Sequence, residues 1–153
     1  MCQPTDIKWV KNIKREGGTA WAYMEDEALP EFDLHFSIRK KGAAKTARAG
    51  DVILLFQRVD KIPGIPAQTY LTHLVAAVDE VIQPSGRPDF PVSRRVRVIA
   101  RGNKEFSPAV SPAELSFFKP NRGAVHDIGQ LNESLAVQEI QNKIWSLFNG
   151  LFI

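Results

Sequence analysis

The chain has 153 residues, of which 44% are hydrophobic and 24% charged. These values are typical of a single globular domain and exclude a largely disordered chain. The net charge of +3 is a mild bias towards anionic partners. No apolar run approaches the roughly 20 residues that span a bilayer, and residues 1–6 lack the features of a secretory signal. We therefore expect one cytoplasmic domain over residues 1–153, without a membrane partner.

The first third of the chain contains one clear strand pattern. Residues 7–13 nearly alternate between apolar and polar types, which predicts a strand with one buried face. Residues 19–24 predict either a second short strand or an ordered loop. Residues 25–33 are acidic and contain a proline, so we expect a loop there. Residues 35–48 are basic and rich in alanine and precede a glycine, which predicts a short helix.

The middle of the chain predicts strands separated by turns. Residues 51–56 hold five consecutive apolar residues, as expected for a strand that is buried on both faces. Prolines and a glycine in residues 60–67 predict a loop or an edge strand. The β-branched content of residues 70–82 favours one long strand, bent near its centre. Residues 84–88 have the composition of a turn.

The last third predicts one more strand and two helices. Residues 92–101 alternate, which places Arg95, Arg97 and Arg101 on one face of a strand. Residues 111–114 form a capping box, so a short helix begins there. Apolar residues at three- and four-residue spacing between 132 and 148 predict an amphipathic C-terminal helix that packs on the domain.

The sequence lacks the usual motifs of catalysis and of metal or cofactor binding. Gly17–Gly18 is not followed by the lysine of a phosphate loop. His35, His73 and His126 do not have the spacing of a zinc site. The lone cysteine, Cys2, cannot form an internal disulfide and has no neighbouring base. We predict no catalytic residue, no enzyme activity and no cofactor, although a metal site assembled from distant residues stays open.

Three stretches resemble the PUA-like superfamily, in its EVE and YTH branch. Residues 7–10 resemble the opening strand of EVE domains, and residues 35–40 resemble the His-x-Ser-Ile-Lys segment of YTH domains. Residues 50–56, with 72–78, are similar to the paired strands of both families; together the stretches cover residues 7–82. The resemblance implies an α+β fold, a PUA-like mixed β-barrel flanked by short helices, to which the amphipathic C-terminal helix is added.

The resemblance also implies that the chain binds DNA or RNA, with methylated strands among the candidate ligands. It implies that one modified base is flipped out of the strand and recognised in a barrel pocket. Such a pocket needs rings for stacking, polar groups for the base edge and cations for phosphates. The residues that match family positions are Trp9, Ser37, Ile38, Arg39 and Phe56. From their chemistry alone we add Trp21, Tyr23, Lys40, His73, Arg94, Arg95 and Arg97. Trp9 and Phe56 lie on apolar strands, so each is a candidate for the core as well as for the pocket.

Two other functions remain open. The chain could be a protein-interaction module or a subunit of a larger assembly, without catalytic activity. The acidic residues 25–33 and the apolar residues 151–153 motivate this alternative, including self-association through the C-terminal helix. An enzyme acting on nucleic acid would need an acid–base pair in one pocket. The basic residues within 39–48 and 87–104 predict either a positive face or an ordinary solvated surface.

Overall fold

A computed structural model describes residues 2–13, 22–23, 30–36, 47–60, 62–102, 109–110, 129–131 and 137–153. After a single 3₁₀ turn, the elements in chain order are β1 (Ile7–Asn12), β2 (Glu31–Phe36), β3 (Val52–Val59), β4 (Gln68–Ala77), β5 (Gln83–Pro84), β6 (Val92–Arg101), β7 (Ala109–Val110), β8 (Gly129–Gln130) and the helix α1 (Val137–Leu147).

The strands form one mixed sheet in the order β2-β6-β4-β3-β1-β8, while β5 adds to β6 and β7 to β4. The β1–β3 pair is parallel and the other pairs are antiparallel. One sheet with a helix packed on it is an α+β fold, as predicted. Over the described residues, β2 and β8 are the ends of the path, so these residues do not close the sheet into a barrel.

The open sheet is nevertheless strongly curled. Strands β1 and β2 are four steps apart in the strand order. Even so, the Nζ atom of Lys11 on β1 lies 4.8 Å from the ring centroid of Phe36 on β2. A flat sheet would separate these side chains by several strand spacings of about 4.8 Å each. The sheet therefore has a concave face, across which its two ends meet.

A separate hydrophobic core covers each face of the sheet. Strand β3 shows the division, because its side chains alternate between the two cores with the strand period of two. Ile53 and Leu55 enter the concave core, while Val52, Leu54 and Phe56 enter the core beneath α1, which we call the helix core. The strand is buried on both faces, which confirms the prediction for residues 51–56.

A β-bulge interrupts the pairing of β3 with β4. Leu55 lies opposite His73, but the next residue, Phe56, lies opposite Leu71, so Thr72 is the extra residue. Because one extra residue reverses the alternation of side chains, a bulge re-aims those that follow it. His73 consequently lies beside Leu55 on the concave face.

A second bulge interrupts the pairing of β4 with β6, where Ile99 is the extra residue. Arg101 therefore lies opposite His73 on the concave face. Arg95 and Arg97 alternate with valines of the concave core and point to the other face. The prediction that all three arginines share one face is wrong for Arg101, because the sequence does not reveal the bulge.

Two further predictions about the first half of the chain are wrong. Residues 31–33, expected in a loop, begin strand β2, whose Phe32, Leu34 and Phe36 are buried in the concave core. The helix expected over residues 35–48 does not begin at 35, because β2 continues to Phe36. Most of the segments 19–24 and 35–48, and the predicted helix start at 111–114, lie outside the described residues.

The helix α1 packs on the sheet through its apolar stripe, as predicted. Ile140, Ile144 and Phe148 are buried in the helix core. The side-chain amide of Gln141 is also buried and donates to the carbonyl oxygens of Thr5 and Ile7, at 3.2 and 2.8 Å, which ties α1 to the start of β1. No helix in the described part of the chain is long and apolar enough to cross a membrane.

The packing of α1 generates a stability prediction. Ile144 is fully buried, so we expect the variant Ile144→Ala to lose about 3 kcal/mol of unfolding free energy through lost burial and a cavity. Denaturant unfolding followed by circular dichroism measures this loss. The exposed neighbour Asn142 provides the control, since Asn142→Ala should change the unfolding free energy by less than about 0.5 kcal/mol. Equal effects of the two variants would contradict the packing of α1.

Candidate functional site

A row of polar side chains crosses the concave face at one level. The strand registers place Lys11 beside Leu55, Leu55 opposite His73, and His73 opposite Arg101. Lys11 and His73 are buried, and Arg101 is half-buried. Three basic side chains at one level of an apolar interior are unusual, because Lys, Arg and His are rarely buried and need partners when they are. This row is therefore a candidate functional site.

His73 is the most deeply buried of these bases, with 0% of its surface exposed. Its Nδ1 atom lies 2.8 Å from the hydroxyl oxygen of Thr72, and that hydroxyl lies 3.4 Å from the carbonyl oxygen of Leu55. Its Nε2 atom is buried without a hydrogen-bond partner in the described part of the chain. Burial, assisted by the positive charge of Arg101, lowers the pKa of His73 to about 3. The imidazole is therefore neutral at physiological pH.

Two aromatic rings connect this buried imidazole to the edge of the sheet. Tyr23 stacks on Phe32 with ring centroids 4.4 Å apart and an interplanar angle of 19°. Phe32 in turn meets His73 edge-on, with the centroids 5.6 Å apart. Both arrangements are favourable for aromatic pairs. We call Tyr23, Phe32 and His73 the ring line.

Tyr23, at the outer end of the ring line, is half-buried beside the edge strand β2. It has a positive φ of 62°, which is uncommon for a bulky residue. Its hydroxyl accepts a hydrogen bond from the backbone N–H of His35 at 3.1 Å and lies 3.3 Å from the His35 Nδ1 atom. The two rings are also nearly parallel, with centroids 6.4 Å apart. The contacts to β2 hold Tyr23 in its unusual conformation.

Charged groups of both signs act on this outer end. Burial lowers the pKa of His35, and the charges of Arg87 and Lys11 lower it further, against the opposing charge of Asp33. Burial raises the pKa of Tyr23, while the His35 hydrogen bond and Arg87 act in the opposite direction. Arg87 is exposed. The site therefore combines half-buried rings with an accessible cation, a combination that suits an anionic ligand with a flat group.

Two of the arginines proposed to bind phosphates have partners within the domain. Arg94 is buried and donates to the carbonyl oxygens of Ala47 and Asp79, so it joins two connecting segments to β6. Arg95 forms ion pairs with Glu31 at 3.1 Å and with Asp33 at 3.3 Å across the β2–β6 pair. Acidic and basic residues that are separate in sequence therefore neutralise each other in the fold.

Arg97 is exposed on the same face as Arg95, and its guanidinium lies 3.9 Å from the sulfur of Cys2. This face is opposite to the one that carries the ring line. Arg95 and Arg97 therefore do not converge with His73, and the sheet separates them from it.

The structure places the two aromatic residues of the resembling strands differently. Trp9 packs against the concave core, and its indole N–H donates to the Asp51 carboxylate at 2.9 Å. Phe56 is buried in the helix core, on the opposite face from His73. Only Trp9 therefore lies on the same face as the ring line. Of the other predicted site residues, Trp21, Ser37, Ile38, Arg39 and Lys40 lie outside the described residues.

The structure also places the residues that motivated a partner hypothesis. Ile140, Ile144 and Phe148, which lie along the apolar stripe of α1, are buried inside the domain. The tail pairs with β6: Arg101 N–H donates to the Leu151 oxygen at 3.1 Å, and Ile153 N–H to the Ile99 oxygen at 3.0 Å. The ring of Phe152 packs on Trp145, whereas Ile153 is 77% exposed.

Sequence reasoning missed four members of the site: Lys11, Phe32, Thr72 and Arg101. Phe32 lay within a segment predicted as a loop, although its alternation with Leu34 and Phe36 was a readable signal of a strand. Lys11 was counted only as one polar residue of an alternating strand. Thr72 and Arg101 depend on the two bulges, for which the sequence offers no comparable signal.

The described residues do not form a site with the composition of a metal centre, since none of their His, Cys, Asp and Glu side chains cluster in threes. Comparison of the sequence with protein-family models gives no match. Comparison with the curated proteins gives no match either. The geometry of the concave face is therefore what a functional proposal can rest on.

The lowered pKa of His73 generates a prediction about pH. The unfolded chain binds a proton near the ordinary pKa of 6.5, whereas the folded chain binds it near 3. The neutral His73 therefore makes its full contribution to the unfolding free energy at a pH above its pKa in the unfolded chain. That contribution is lost as the pH falls towards the pKa of His73 in the folded chain. This difference should reduce the unfolding free energy by about 2 kcal/mol between about pH 7.5 and about pH 5.

The comparison with His73→Phe isolates this contribution from those of other titrating groups. Unfolding curves for both proteins across the same pH range measure it. We expect the wild-type curve to fall by the larger amount. Parallel curves for the two proteins would show that His73 titrates alike in the folded and unfolded chains.

Proposed function

We propose that the chain is a nucleic-acid-binding module that takes one flipped-out base, modified or not, at the concave face of its sheet. The observation that carries the proposal is the ring line from half-buried Tyr23 through Phe32 to His73. Tyr23 is the partly exposed member of the line, and an exposed aromatic ring provides a stacking surface that suits any base. The curled sheet and the resemblance of residues 7–82 to the EVE and YTH branch support the same proposal.

The charges around the ring line also support a nucleic-acid ligand. Lys11 and Arg101 flank the buried end, on either side of Leu55 and His73. Arg87 acts on Tyr23 and His35 at the outer end and is exposed. A base on the rings would leave its flanking phosphates near the exposed cation, where phosphate contacts contribute affinity that depends on salt. Arg94 and Arg95 are assigned to stability rather than binding, since each has protein partners.

A titration with short single-stranded DNA and RNA tests the proposal. The strands are unmodified or carry one methylated adenine or methylated cytosine, and binding is measured by fluorescence anisotropy at about 50 and about 200 mM salt. We expect affinity to fall steeply with salt. Absence of binding to every strand at the lower salt concentration would contradict the proposal and favour the protein-interaction alternative.

Paired variants locate the binding surface. We expect Arg87→Ala to weaken binding and to lower the slope of log affinity against log salt by about one unit, as removal of one phosphate contact does. Arg58, which is exposed on β3, provides a matched control, because Arg58→Ala removes the same charge elsewhere on the sheet. Equal effects of the two variants would mean that nonspecific charge, rather than the ring line, directs binding.

Tyr23→Leu tests the stacking surface itself. Loss of one base–aromatic stack should weaken binding by about 1–3 kcal/mol at either salt concentration, with little change in the salt slope. The variant Phe56→Leu is the control for an aromatic residue of the opposite core. Its expected effect is on stability and not on the affinity of the folded protein.

A further inference from the structure

The Nε2 atom of His73 is a buried polar atom with no hydrogen-bond partner in the described part of the chain. Such an atom weakens the fold, because it has lost its hydrogen bonds to water and gained none in the protein. Most buried polar groups do have a partner, so each exception calls for an explanation. The bulges at Thr72 and Ile99 lie on either side of this residue. Bulges re-aim side chains and occur often beside functional sites. The backbone of two neighbouring strand pairs is thus adjusted around one imidazole.

The hydrogen-bond network assigns the tautomer of that imidazole. The Thr72 hydroxyl has a single proton and two close acceptors, the Leu55 carbonyl oxygen at 3.4 Å and the His73 Nδ1 atom at 2.8 Å. Only one arrangement makes both contacts hydrogen bonds: the hydroxyl donates to Leu55, and Nδ1–H donates to the hydroxyl. In this arrangement the neutral ring carries no proton on Nε2, and that atom is a hydrogen-bond acceptor.

We propose that His73 Nε2 selects the ligand at this site by accepting a hydrogen bond from it. The ligand must therefore present an N–H donor on the edge of its ring. The inference rests on the proposed function and specifies its ligand class: a base whose amino or imino N–H reaches Nε2. His73 is fully buried, so the side chains packed around it, Phe32 among them, must shift for a base to reach Nε2. A base with only acceptors on that edge would face the Nε2 lone pair and be rejected.

Thr72 is the positioning residue in this arrangement. Its hydroxyl holds the proton of the ring on Nδ1 and so keeps Nε2 free of a proton. The variant Thr72→Val has nearly the same shape but no hydroxyl, whereas Thr72→Ser keeps the hydroxyl. A purely structural role for Thr72 would change stability in Thr72→Val without changing which ligands are selected.

Nitrogen NMR of the ligand-free protein tests the acceptor directly. Long-range ¹H–¹⁵N correlation of the histidine rings distinguishes a protonated from an unprotonated Nε2. We expect wild-type His73 and the Thr72→Ser variant to show an unprotonated Nε2, and Thr72→Val to show a protonated Nε2 or a mixture. A protonated Nε2 in the wild-type protein would overturn the inference.

Binding of two pairs of bases, in which the members differ by one amino group, tests the selection. The probes are four short single-stranded RNAs that differ at one central base: adenine, purine (adenine without its amino group), cytosine and 2-pyrimidinone (cytosine without its amino group). We expect at least one amino base to bind about tenfold or more tightly than its partner without the amino group, since a buried acceptor left unpaired is costly. His73→Phe should abolish this difference, and Thr72→Ser should preserve it.

The outcomes separate the inference from the proposed function. Salt-dependent binding of all four strands with equal affinity within each pair would overturn the inference and leave the proposed function standing. Failure of every strand to bind the wild-type protein would overturn both. Both measurements on the wild-type protein remain decisive if the His73→Phe variant does not fold.

Discussion

Strand β4 must form hydrogen bonds with β3 along one side and with β6 along the other while both of its faces are buried, and the other elements take their positions from this constraint. Backbone groups buried this deeply need partners, so the two neighbouring strands cannot shift independently. The parallel strand β1 extends the sheet beyond β3, and β2 extends it beyond β6. The curl then brings these distant strands together over the concave core.

The two bulges on either side of β4 convert this scaffold into a candidate site. Without them, the strict period of two would direct different residues to the concave face. With them, His73 and Arg101 face the same interior as Lys11. Gln57, another buried polar residue, accepts the backbone N–H of Ala22 at 2.9 Å. The Nε2 atom of His73, by contrast, has no hydrogen-bond partner among the described residues.

The distribution of charge has a different origin from the one that the sequence suggests. Runs of basic residues were compatible with a positive face or an ordinary solvated surface, and antiparallel pairing of β2 with β6 places Glu31 and Asp33 beside Arg95. Cross-strand pairs of opposite charge favour this register over others. Arg87, in the turn before β6, is exposed and acts on Tyr23 and His35 at the outer end of the ring line.

The sequence by itself predicted the strands β1, β3 and β6 and the helix α1 from local periods and apolar runs. For residues 70–82 helix and strand competed, and the strand favoured there, β4, ends at Ala77. It also identified His73 and Tyr23 as site candidates through their chemistry. Only the tertiary structure decided that Arg101 joins His73, that Arg94 and Arg95 have internal partners, and that Phe56 belongs to the opposite core. Bulges, strand register and curl depend on contacts between residues far apart in the chain, and local sequence patterns carry no information about such contacts.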